Sequence, residues 1–236
     1  MRTIGQAALV MWWSIGSRHV AEFEQWHSQE HLPERLSIPG FLRGTRWKAA
    51  SGQARYFVIY ETQDLATLDS AAYTERLNNP SAWSAAMFPR FRDMMRSPCV
   101  VQAGFDNGVG GAAVTVRLSP APGQAGPLAL WLTQSLLPQL AAQPGIVAAS
   151  LLQAQAQAQA QAPMPTKRTI EQELRGGDAS ADRVLLVQAY DAAILAAISA
   201  QMFSDARLLE HGATPAAVTE AFQLSHALTA ATGGNA

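Results

Sequence analysis

Apolar and polar positions follow one another along this chain in two rhythms. Ala7–Ser14, Tyr56–Tyr60, Val100–Phe105, Ala112–Ser119 and Val184–Val187 are short apolar runs, most of them rich in β-branched or aromatic residues, and each predicts a strand. Val20, Phe23, His27 and His31 recur at i, i+3, i+7 and i+11. That is the spacing of one helical face, and it predicts a helix over about residues 20–32. Pro33 ends or bends this helix, and Pro39-Gly40 turns the chain into a second strand. A second helix is predicted over about residues 65–77. The order is strand, helix, two strands, helix, strand.

The same order returns in the second half. An offset of 105 positions carries Trp26 onto Trp131, Gln29 onto Gln134, Leu32 onto Leu137, Pro33 onto Pro138 and Pro39-Gly40 onto Pro144-Gly145, with no gap. It also carries Ala7–Ser14 onto Ala112–Ser119, so the first apolar run reads as a structural strand and not as a removable leader. Helices are predicted at about 128–137 and 192–209, with Ser225–Ala236 read as helix end and tail. A βαββαβ order is that of the ferredoxin-like unit, one antiparallel sheet with helices on one face. The chain is therefore predicted to be α+β, with two tandem ferredoxin-like units, 1–107 and 108–236. Each unit covers the other's bare sheet, as an intrachain pseudo-dimer resembling a barrel. The second unit is longer by about 23 residues, because Arg55 aligns with Arg183. This insert, about 153–182, holds an alternating Ala/Gln run and reads as a low-complexity hairpin extension, with a short helix over Thr166–Leu174. A lid over a site is its functional alternative.

Charge excludes some functions. The net charge is −1 with 17 Lys and Arg against 18 Asp and Glu, so no basic face for nucleic acid or an anionic membrane is expected. The single cysteine, Cys99, allows no intrachain disulfide; it reads as a buried apolar residue, and a cytoplasmic location is expected. Phosphate-loop, dinucleotide, nucleophile-elbow and paired-cysteine motifs are missing from the sequence.

The candidate chemistry lies in His27-Ser28-Gln29-Glu30-His31, which fits the H-x-x-E-H pattern of inverted zinc peptidases. The spacing suits two ligands, but Pro33 follows at once and no third ligand stands out among Glu61, Glu75 and Asp106. No metal and no cofactor are expected. The repeat offers a better reading. The stripe Val20, Phe23, His27, His31 corresponds to Ala125, Leu128, Leu132, Leu136, which is wholly apolar and so faces inward. The histidines then face inward as well, where an unpaired polar group costs about 1–3 kcal/mol, and a polar cavity is implied. Glu30 and Arg35 become Ser135 and Leu140, which marks the first half as the working half. Glu30 itself is expected to face solvent.

Phe23-x-x-Trp26-x-x-x-x-His31-x-Pro33 followed by Pro39-Gly40-Phe41 resembles the motif of EthD-like proteins in the dimeric α+β barrel superfamily, over about residues 7–105. The resemblance implies a pocket between helix and sheet, with His31 at the family's histidine position. Relatives include polyketide cyclases, cofactor-free monooxygenases, lactone isomerases and dehydratases. A small-molecule ligand, aromatic or polyketide-like, is the expected partner, with His31 as acid or base. His27, Trp12, Trp26, Trp47, Tyr60 and Tyr73 are the candidate binding residues, since aromatic walls suit a flat ring. A non-catalytic binding protein and a purely structural module are the alternatives. Self-association of the fused chain as a homodimer is also expected.

Overall fold

The computed structural model describes residues 3–155, 169–175 and 179–231. Strand β1 (Ala7–Ile15) leads into a helix built of three pieces, α1 (Val20–Trp26), a π-helical turn (His27–His31) and α2 (Leu32–Leu36). β2 (Phe41–Ala49) and β3 (Arg55–Thr62) form a hairpin, α3 (Ala71–Asn78) and α4 (Ala82–Met87) follow, and β4 (Phe91–Asp106) is the longest strand. The second half gives β5 (Ala112–Leu118), then α5 (Ala125–Leu130), a π-helical turn (Trp131–Leu136) and α6 (Leu137–Ala141). β6 (Ile146–Ala154), β7 (Arg183–Ala189), helices Ala192–Met202 and Asp205–Glu210, and β8 (Val218–Thr229) complete it.

The eight strands close into one barrel in the order β1-β3-β2-β8-β5-β7-β6-β4, and every neighbouring pair is antiparallel. Two arcs, β4-β1-β3-β2 and β8-β5-β7-β6, share one order. They join where β2 meets β8 and where β4 meets β6. Among the described residues, closure leaves no open strand edge in the barrel.

Strand alternation divides the apolar residues into three cores. Val10, Trp12, Trp47, Phe57, Leu186 and Phe222 fill the barrel. Leu9, Met11, Trp13, Tyr56 and Tyr60 point outward, against Phe23, Trp26 and Leu32 of the first helix. Val114, Val116, Leu185 and Val187 do the same against Leu128, Leu132, Leu136 and Leu140.

The two prolines do not end their helices. A proline lacks an amide donor and its ring crowds the carbonyl four residues back. In both helices the turn before Pro33 or Pro138 widens to π geometry, and helix continues beyond it. Pro39-Gly40 and Pro144-Gly145 recur for a different reason. Gly40 and Gly145 take φ of 91° and 84°, which side-chain-bearing residues rarely adopt. Gly44 sets the distance between helix and sheet: a Cβ there would lie 2.6 Å from Leu32 Cδ1 and 3.1 Å from the Tyr60 ring.

Three expectations need correction. The stretch from Ser225 on, read as helix end and tail, begins inside β8 (Val218–Thr229). Its inward positions alternate with small residues, and its leucines and alanines favour a helix locally, but the vacant edges of β2 and β5 impose a strand. The second helix of the first half is broken by Ser70, whose hydroxyl accepts from Tyr73 N–H and starts α3. Ala192–Glu210, long and apolar enough for a membrane span, is two helices whose Leu195, Ile198, Met202 and Leu208 are buried against the barrel. Most of the Ala/Gln run lies outside the described residues. The short helix expected within the insert is present at Ile170–Arg175.

Candidate functional site

His27, His31 and Arg35 lie four residues apart along the first helix, and all three are buried, at 1%, 7% and 2% exposure. The π turn spans the two histidines. Their rings lie 5.7 Å apart between centroids, beside a cavity of about 20 Å³ walled by Trp13, Trp26, Tyr60, Phe88, Phe91 and Met94. That is room for about one water molecule.

His27 sits deepest. Its Nε2 is 3.5 Å from the Tyr60 hydroxyl, and its Nδ1 has no hydrogen-bond partner among the described residues. Burial pushes its pKa well below the ordinary value; the positive charge of Arg46, a charged His226 and Arg35 act in the same direction. His27 is therefore a neutral imidazole at physiological pH. Burial likewise holds Tyr60 protonated, far above the usual phenol range. His31 stacks on Trp26 with ring centroids 4.5 Å apart and packs edge-on to Phe88, while its Nδ1 lies 3.9 Å from the Glu34 carboxylate.

Glu30 does not face solvent. Its Oε1 accepts from Trp26 Nε1 at 3.2 Å, from Ser81 Oγ at 2.5 Å and from Ser84 Oγ at 3.2 Å, so it fixes the indole against α4. Being next to His31 in sequence, it projects away from it. Among the described residues no three His, Cys, Asp or Glu side chains converge where a metal would bind. Glu61 and Asp106 are both taken by Arg43 at one end of the barrel, at 2.5 Å each.

No family model matches this chain, and no curated protein does. Solved structures do match over nearly the whole length. An anthrone oxidase-like protein aligns with a TM-score of 0.63 at 10% identity, covering 95% of this chain and 93% of its own. A putative monooxygenase from Fusobacterium nucleatum aligns at 0.62 and 11% identity, covering 96% of each chain. A putative monooxygenase from Lactobacillus acidophilus aligns at 0.58 and 6% identity, covering 95% and 96%. The chain shares the fold of these structures. At these identities the likeness extends to the fold alone.

The barrel sorts the candidate residues. Trp26, His27, His31 and Tyr60 meet at the cavity. Trp12 and Trp47 do not: they lie inside the barrel, Trp12 stacked on Phe57 and donating to Thr115 Oγ1 at 3.3 Å, Trp47 donating to Thr45 Oγ1 at 2.8 Å. Successive strand residues face opposite sides, so Trp13 takes the cavity position and its neighbour Trp12 the interior. Tyr73 belongs to the same outer core but stands back from the cavity, under the Arg35 guanidinium at 5.7 Å, its hydroxyl accepting from Arg96 at 3.1 Å. Met11, Trp13, Phe88, Phe91 and Met94 were missed. The β1 residues were within reach of the alternation, once the helix-facing side was known. Phe88 comes from a turn with no periodic signal, and Phe91 from the first position of β4 just after it.

Proposed function

We propose that this chain is a fused duplicate of an EthD-like, ferredoxin-like unit. In this reading residues 1–107 carry a small-molecule site and residues 108–236 serve as its structural cover. The site performs proton-transfer chemistry of the cyclase, isomerase, dehydratase or cofactor-free monooxygenase type on an aromatic or polyketide-like substrate. His31 is the acid or base. Neutral His27 and the Tyr60 hydroxyl orient the ligand from the cavity floor.

One observation carries this reading. The two halves build the same helix, π turn and proline, yet His27, His31 and Arg35 stand where Leu132, Leu136 and Leu140 stand in the second half, at 0%, 2% and 0% exposure. The fold is satisfied by leucine, so the polar set answers a different demand. An imidazole titrates near operating pH and is suited to moving a proton. The names of the matching structures, a monooxygenase among them, agree with a small-molecule enzyme.

The cavity's water-sized volume favours a second reading, a structural module whose histidines are core groups. His31→Leu separates the two. In the enzyme, turnover of a screened aromatic substrate falls by a factor of about 10²–10⁴ while the unfolding midpoint holds. In the structural module, no ligand binds to the parent protein and the variant is as stable or more so.

A further inference from the structure

The insert supplies a helix that packs on the turn bearing the cavity residue Phe88. Helix Ile170–Arg175 packs on the turn Phe88–Arg90, on α3 and on β4, and Ile170 N–H donates to Asn78 Oδ1 at 3.3 Å. Leu174 joins the apolar cluster that holds Phe88, Phe91 and Met94. Glu171, at 2% exposure, points inward and pairs its carboxylate with the buried guanidinium of Arg35.

Arg35 is the third member of the buried polar stripe, four residues beyond His31. Leucine fills its counterpart position completely. Its charge acts on both His27 and Tyr60, so it stands within electrostatic reach of the cavity's polar groups. A buried guanidinium needs a partner, and its planar fork is shaped for a carboxylate. The first helix supplies Glu34 at 3.5 Å; the closer partner is Glu171, from a segment that the βαββαβ order does not require.

We propose that Arg35 is the anion-recognition residue of this site, and that Glu171 holds there the place of a ligand's carboxylate. The ligand is then a flat, ring-bearing acid: its ring lies among Trp13, Trp26 and Phe91 and its carboxylate on Arg35. Ligand and Glu171 compete for one guanidinium. When the ligand wins, Glu171 leaves Arg35, the helix Ile170–Arg175 withdraws from the turn Phe88–Arg90, and the cavity gains the room a ring needs. This inference rests on the small-molecule reading above and names its substrate class.

The test is a titration of the full chain with 2-naphthoate and with uncharged 2-naphthamide, followed by calorimetry and by the fluorescence of Trp13 and Trp26. The parent protein is expected to prefer the acid. Glu171→Gln is expected to bind 2-naphthoate about tenfold tighter, with little change for the amide. The double variant Arg35→Met/Glu171→Gln leaves no lone buried charge, so it folds, and it is expected to lose the preference for the acid. The proposal fails if Glu171→Gln binds the acid no tighter than the parent, or if the double variant keeps the preference. If the amide binds and the acid shows no advantage in any variant, the anion proposal alone falls. If neither compound binds any variant, the small-molecule reading falls with it.

Discussion

His27→Leu has a consequence that can be worked from the structure. His27 is 1% exposed and neutral in the folded state, because burial first, and then Arg46, His226 and Arg35, disfavour its charged form. Its folded pKa therefore lies well below the unfolded value of about 6.5. Above that pH both states hold neutral imidazole and the group has no effect on the pH profile. Below it the unfolded chain takes up a proton that the fold refuses. Stability then falls by up to about 1.4 kcal/mol per pH unit until the folded pKa is reached. Leucine abolishes this contribution. At pH 8 it also removes the unpartnered Nδ1, worth about 1–3 kcal/mol, and forfeits the long bond to Tyr60, worth about 1 kcal/mol. The variant should match or exceed the parent by about 1 kcal/mol at pH 8, and its advantage should widen as the pH falls from 6.5 to 5. Urea unfolding of both proteins at pH 8, 6.5 and 5 measures this. His19 and His226 also have lowered pKa values, so the difference between the two proteins, and not the parent's own slope, is the quantity to read. Parallel pH profiles would refute the reasoning. So would a loss of about 2 kcal/mol or more at pH 8, which would mean that the imidazole carries a structural bond.

Other outcomes are expected. Gly44→Ala drives a methyl toward Leu32 and the Tyr60 ring and should destabilise by about 1–3 kcal/mol, seen as a lower urea midpoint. Trp13→Phe should change the affinity for any ligand of the cavity, whereas Trp12→Phe, inside the barrel, should lower stability and leave affinity unchanged; binding titrations of both variants decide this. Cys99 is fully buried and its thiol is pushed up to about 12 by that burial, so a thiol reagent should label native protein only as fast as the chain opens. Glu30→Ala removes the acceptor shared by Trp26, Ser81 and Ser84 and should cost about 2–3 kcal/mol in unfolding measurements, with reduced ordering of the indole in fluorescence anisotropy.

Local pattern and repetition made much of this protein legible in its sequence. The apolar runs at β1, β3, β5 and β7 are strands because β-branched and aromatic residues suit a pleated surface. The Pro-Gly turns recur because a positive φ is needed twice. The inward stripe of His27 and His31 could be inferred because its leucine counterpart has only one way to face. Other features arise only when distant segments meet. β8 is a strand because two sheet edges stand open to it, against its local preference. Pro33 widens its helix without ending it, because the helix beyond is held by Leu32 and Leu36 in the core between that helix and the sheet. Trp12 and Trp13 trade places because alternation sets that they differ, while only barrel closure decides which of them faces inward. Glu171 reaches Arg35 across 136 positions, and no spacing rule spans such a distance. Sequence alone determines periods, turns and the polarity of each face. Which faces meet is decided by burial of the whole chain, because the free energy of that burial belongs to no single segment.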